Sequence, residues 1–170
     1  YIQSPASGTD TWEALTRAIY LFDTSDIGDD DQLDSAVMSL YGSSKSDSPA
    51  IAPTMNVYAS TPASNDALVN SDYGQIGTTE LSNDITFANW STSGYNPFTL
   101  SGSASVPFDG ITKLAVRDSA HDAATPSAPS WASNVATAMH SYKAEASGTS
   151  TDPKLVIVHT SPFTPKAIMF

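Results

Sequence analysis

The sequence predicts an all-β fold, an antiparallel β-sandwich of jelly-roll type with one or two short helical turns. Three observations lead there. Apolar and polar residues alternate in several short segments, Gly, Pro, Ser and Asp clusters separate those segments, and no long amphipathic helical period occurs.

In chain order, LTRAIYLFD (15–23) is an apolar, β-rich run ended by Asp-Thr-Ser, which reads as a buried strand. DIGDDDQ (26–32) is a turn. SAVMSLY (35–41) follows, with Ala36, Met38 and Leu40 on one face and Val37, Ser39 and Tyr41 on the other. The Ser- and Pro-rich stretch 42–53 reads as an exposed loop, and TMNVYAS (54–60) alternates as a strand. Residues 65–73 suit a short helix or 3₁₀ turn capped by Asn65 or Asp66, and 81–90 suits a second such segment. Strands are expected at 95–100, where Pro97 implies an edge or a strand start, at ITKLAVRD (111–118) and at KLVIVHT (154–160). Residues 133–142 fit a helical period as well as a strand. One domain, 1–160, is expected, with 161–170 as an extended C-terminal tail. A chain of this length buries a core without metal or disulfide staples.

Composition narrows the function classes. Ser and Thr supply about a quarter of the residues, as in a sheet protein whose outward faces carry hydroxyls. The net charge of −11 and only seven dispersed Lys and Arg, which make no phosphate-binding patch, argue against nucleic acid as a partner, and none is expected. The same acidity disfavours anionic membranes, and no apolar run approaches the ~18 residues of a span. The absence of cysteine excludes disulfides and thiolate chemistry. Because the sequence opens at Tyr1 without methionine, it is read as processed or as part of a longer product.

Five segments carry a family resemblance: RAIYLFDTSDI (17–27), LDSAVMSLY (33–41), FTLSG (98–102), ITKLAVRDSAHD (111–122) and GTSTDPKLVIVHT (148–160). Their order resembles DNRLRE-type β-sandwich domains, jelly-roll modules of secreted prokaryotic and phage-encoded surface proteins. The resemblance implies an accessory or binding module, often near carbohydrate, and through its phage members a virion surface protein. The chain departs from that pattern at both ends. The first strand expected before Arg17 is absent or lies upstream, and SPFTPKAIMF (161–170) exceeds the sandwich.

Catalytic signals are weak. There is no G-x-S-x-G elbow, and His121, His140 and His159 are far apart in the sequence. Without H-E-x-x-H or Cys pairs, zinc has no support. The chain is therefore expected not to be an enzyme. Asp26, Asp29, Asp30 and Asp31, with Asp34 beyond them, cluster hard oxygen ligands in one turn and form a candidate calcium site. Their spacing does not follow the EF-hand pattern, and a solvated acidic turn that discourages edge pairing is the plainer reading of them. Trp90, Tyr95 and Trp131 fall in or beside loops with Asn89, Asn96, Asp118 and Asp122 nearby, a composition suited to stacking on sugars and bonding their hydroxyls. Against that stands the tendency of large aromatics to plug the ends of a sandwich core. Asn89-Trp90-Ser91 matches a glycosylation sequon, a pattern common by chance.

The tail ends in Ile168, Met169 and Phe170, and such a Pro-punctuated segment can add a strand to a neighbour's open sheet or fill an apolar groove. The expected function is thus a structural surface protein at a virion surface or outside the cell, partnered by other virion or surface subunits in a homo-oligomer. It would be a capsid decoration or tail-associated subunit. A carbohydrate-binding accessory or adhesion module is the alternative.

Overall fold

A computed structural model describes residues 2–3, 13–101, 107–108, 110–123, 135–144 and 147–162. It is an all-β sandwich of two antiparallel sheets. Its strands are β1 Ile2–Gln3, β2 Ala14–Leu15, β3 Ala18–Asp23, β4 Gln32–Asp47, β5 Thr54–Ala59, β6 Ile85–Thr86, β7 Tyr95–Thr99, β8 Ile111–Asp118, β9 Ala136–Ser141 and β10 Lys154–Thr160. A 3₁₀ turn covers Asn70–Gly74, and one turn of π-helix covers Ser119–Ala123.

The first sheet is organised around β4, a strand of 16 residues. β10 and β7 flank its first half. Val37 pairs with both Val156 and Thr99, and Met38 with both Leu155 and Phe98, so the two strands lie on opposite edges. β9 pairs with the second half of β4 past an irregularity between Gly42 and Ser44, and carries β1 and β2 beyond it. The second sheet runs β3-β8-β5-β6. The chain changes sheet at most of its connections from β3 onward, so neighbours in a sheet are distant in sequence.

Side-chain alternation sets the core. Ala36, Met38 and Leu40 point inward from β4 and are fully buried or nearly so, as their spacing predicts. They meet Leu114 and Val116 of β8, Met55 and Val57 of β5, and Phe98 of β7. The outward face of the second sheet is covered as well. Tyr58, Ala115 and Ile76 form a smaller cluster there with Ile19 and Ala123 packed on it, which is why β5 and β8 are buried on both faces.

Three sequence expectations are corrected. Residues 42–47 do not begin a loop but continue β4, held by the ladder to β9. Residues 81–90 form no helical turn. Leu81 N–H and Ser101 N–H donate to Val57 O and Leu81 O, tying the segment to both sheets before β6 and a tight turn at 87–89. The chain before Arg17 does contribute strands, β1 and β2, to the first sheet.

Candidate functional site

The sandwich presents two apolar surfaces with different chemistry, one on the outer face of each sheet.

On the first sheet, the outward positions of β10 are Lys154, Val156 and Val158. Val156 and Val158 are 55% and 51% exposed and sit beside Val37 and Ser35 of β4. Farther along the same face, Tyr41 and Tyr95 are cross-strand partners whose rings meet edge-to-face at 5.1 Å. Tyr142, which donates its N–H to Tyr41 O, adds a third ring at 5.9 Å from Tyr41. The Tyr41 hydroxyl donates to Ser93 O, and the Lys154 ammonium lies 3.8 Å from the Tyr95 ring centroid. Valines and tyrosines thus share one open face, and β10 pairs only with β4 among the described residues.

On the second sheet, both arginines of the chain converge on one carboxylate. Arg17 precedes β3 and Arg117 lies near the end of β8, and both project to the outer side. Two adjacent guanidinium groups need an anion between them. The π-helical turn directly after β8 supplies it as Asp122, which is 5% exposed. Arg17 Nε and Nη2 donate to the two carboxylate oxygens at 2.8 and 2.7 Å, and Arg117 Nε and Nη2 donate to the same pair at 2.9 Å each. Burial pushes the Asp122 carboxyl upward, but the hydrogen bonds and charges of Arg17 and Arg117 together prevail and hold it below its ordinary value. Such a fully paired buried cluster locks strands together, since losing one member strands the others in a low dielectric.

Beside this cluster lies a cleft of about 460 Å³. Arg17 and Ile76 line it along with Leu68, Val69 and Tyr73, three of the chain's exposed apolar residues. Arg17 lies 4.0 Å from the Tyr73 ring centroid and donates to Tyr73 O, so the guanidinium is committed to the wall. Asp72 accepts Ala63 and Val69 backbone N–H groups, and those bonds, Val69's first, hold its carboxyl low. The cleft can receive an apolar side chain; its charged groups serve the fold.

The candidate glycan platform is corrected. Trp90 is 4% exposed and belongs to the core, because Gly42 on the inner face of β4 lets the indole approach. Tyr95 points to the opposite, outer side of that sheet, with Lys154 over its ring. The two therefore share no surface. Asn96 turns inward, donating to Leu40 O and accepting Ser91 N–H, whereas Asp118 and Asp122 belong to the second sheet. Trp131 lies outside the described residues, as do Ile168, Met169 and Phe170.

The candidate metal set is corrected too. Among the described residues no three acidic or histidine side chains converge to hold an ion. Asp26, Asp29 and Asp30 fan outward from the turn. Asp31 instead faces the end of β10, where it accepts Gly28 N–H at 3.1 Å and meets His159 Nδ1 at 2.7 Å. The Ser161 hydroxyl, Gly28 N–H and His159 hold its carboxyl below the ordinary range, with Ser161 contributing most.

Sequence reasoning missed the Arg17–Asp122–Arg117 cluster. Its signal was available: two arginines alone in a chain poor in basic residues, one followed closely by Asp122 in RDSAHD. Comparison with protein-family models, curated proteins and solved structures found no match for this chain.

Proposed function

We propose that this protein is a non-catalytic structural surface subunit that assembles with copies of itself through the open outer face and edge of its first sheet. In its most specific form it is a virion component, a capsid decoration or tail-associated subunit at the particle surface. The observation that carries this reading is the exposure of Val156 and Val158 on a strand with one paired edge among the described residues. A β-rich edge segment with no charged side chain between Lys154 and His159 is a template for another strand. Full burial of an exposed valine contributes ~1.5–3 kcal/mol before ordering costs, and covering these two half-exposed ones gives about half of that each. The two carboxylate–imidazole pairs support the non-catalytic part. Asp118 caps the π-helical turn through His121 N–H and also accepts Thr54 N–H, and Asp31 fastens the end of β10. Both pairs serve chain geometry.

Light scattering after size exclusion tests the assembly reading. The native chain should form a defined oligomer. Val156→Lys with Val158→Lys should give monomers of unchanged melting temperature. A native chain that stays monomeric at all concentrations, or a double variant that still assembles, would overturn it.

A carbohydrate-binding accessory or adhesion module is the second reading. The tyrosine group favours it, since Tyr142 is 43% exposed beside Tyr41 and offers an apolar ring next to hydroxyls. A glycan array distinguishes the two: binding lost on Tyr142→Ala would favour the module.

A further inference from the structure

Asp152-Pro153, at the entry to β10, combines three features that nothing above uses. The sequence contains this Asp-Pro bond once. Asp152 Oδ1 is buried with no hydrogen-bond partner among the described residues. The carbonyl oxygen of the same residue lies 3.1 Å from the Tyr95 hydroxyl, which also reaches Ser150 O at 2.9 Å. We propose that Asp152-Pro153 is a self-cleaving peptide bond, with the Asp152 carboxylate as nucleophile and the Tyr95 hydroxyl as the donor to the developing oxyanion.

Each feature answers a requirement of the reaction. A carboxylate oxygen without donors gives up no hydrogen bond when it attacks, so its barrier is lower than that of a solvated one. The Tyr95 ring is held by Tyr41 at its edge and Lys154 over its face, so the hydroxyl is positioned before reaction. Its single proton is shared between two neutral carbonyls in the ground state. As charge builds on the Asp152 oxygen, the bond to that oxygen strengthens, because hydrogen bonds to anions are about twice as strong as neutral ones. The stabilisation is thus larger in the transition state than before it. Proline supplies the leaving group, since its alkylated nitrogen is more basic than that of an ordinary amide.

The steps balance without a cofactor. Asp152 Oδ1 bonds to the carbonyl carbon of its own residue, closing a five-membered ring. The carbon–nitrogen bond to Pro153 then breaks, its electron pair stays on nitrogen, and nitrogen takes a proton from solvent. One water opens the cyclic anhydride, leaving Asp152 with two free carboxyl groups and Pro153 as a secondary-amine terminus. The nicked molecule keeps its fold, because β10 remains paired to β4 and Leu155 and Ile157 stay packed on the core. The segment beginning at Pro153 is then held without a covalent link, by strand pairing and core packing, whatever the sandwich assembles with.

The test follows the intact mass of the full chain in mildly acidic buffer with protease inhibitors. Two fragments, 1–152 and 153–170, should appear with first-order kinetics and sum to the parent mass plus one water. The same chain in guanidinium should cleave more slowly, by roughly tenfold or more, and Tyr95→Phe should slow the folded chain by roughly tenfold. Asp152→Asn should give no such fragments. Tyr95→Phe keeps the ring and its neighbours; should it nevertheless unfold, the comparison of folded and denatured native chain decides alone. Equal rates in folded and denatured chains, a native rate in folded Tyr95→Phe, or the same fragments from Asp152→Asn would overturn the proposal.

Discussion

Gly42→Ala removes the one vacancy through which Trp90 enters the core. A Cβ at position 42 would sit 1.9 Å from Ser91 O, 2.9 Å from Trp90 Nε1 and 3.0 Å from Asn96 Nδ2. The carbonyl is backbone, so relief requires the 91–94 turn to move by more than an ångström. That movement breaks the bonds Asn96 makes to this turn: it accepts Ser91 N–H at 2.8 Å and donates to Ser91 O at 3.0 Å and Gly94 O at 3.3 Å. The movement also pulls on Lys45, whose ammonium donates to Phe87 O, Ala88 O and Trp90 O. Overpacking costs ~1–3 kcal/mol and each lost hydrogen bond ~1 kcal/mol, while alanine returns ~0.4–1 kcal/mol by stiffening the unfolded chain. The net loss is about 3–5 kcal/mol, or roughly 10 °C in melting temperature for a domain of this size. Among the described glycines Gly148 is the one with positive φ, so alanine at 42 incurs no backbone strain and the clash is isolated. Urea unfolding followed by tryptophan fluorescence measures it. A loss below about 1 kcal/mol would refute the close-approach account.

Asp122→Ala should destabilise by about 3–5 kcal/mol in the same assay, because it leaves Arg17 and Arg117 facing each other with side chains 14% and 5% exposed; a neutral result would mean the arginines find water or other acceptors. The pH dependence of stability has two opposing parts. Burial, opposed by hydrogen bonds from His121 and Thr54 N–H groups and by the charge of His121, leaves the Asp118 carboxyl raised above its ordinary 3.8. Its contribution is therefore complete below 3.8 and lost as pH rises through the folded value. Asp122 is held below 3.8, so its contribution is complete above that value and lost as pH falls through the folded one. The urea midpoint should rise as pH falls from neutral toward the ordinary carboxylate value and fall again below about pH 3.8; a midpoint that climbs steadily to neutrality would contradict the Asp118 assignment, and one that keeps rising into acid would contradict the Asp122 assignment.

The strands the sequence shows best are those whose alternation is apolar. The expected bounds at 111–118 and 154–160 coincide with β8 and β10, and the inward faces of β4 and β10 follow from period two alone. The continuation of β4 through GSSKSD has no such pattern. Those residues are strand because β9 pairs with them and because Lys45 finds three carbonyls across the layer, contacts made by distant chain. Trp90 shows a different limit. Its segment is a turn, as a loop reading requires, but the direction of the ring depends on Gly42, far earlier in the sequence. The acidic turn repeats the lesson: carboxylates close in sequence diverge in space, and the one that turns inward does so for His159 at the other end of the chain. The arginine cluster was hidden because Arg17, just before β3, meets Arg117 of β8 and Asp122 of the turn after it only once β3 and β8 pair in the second sheet.

The two outer faces of the sandwich are finished in unlike ways, and this asymmetry orients the molecule. On the second sheet, chain from 61 to 84 folds back over Tyr58, Ala115 and Ile19, the π-helical turn closes the remaining gap, and Asp122 bridges the two arginines that the turn buries. Covering that face took long excursions and an ion cluster whose desolvation is tolerable only when every member is paired. On the first sheet, the described chain builds no equivalent cover over Val37, Val156 and Val158. Its tyrosines are instead braced from the side by Ser93 O, Ser150 O and Lys154. Side chains braced in place while left open are preorganised for a partner, since ordering them on contact costs little further entropy. Under the proposed assembly a partner would approach from the first sheet, with the arginine cluster on the far side serving to hold the sandwich together as it does.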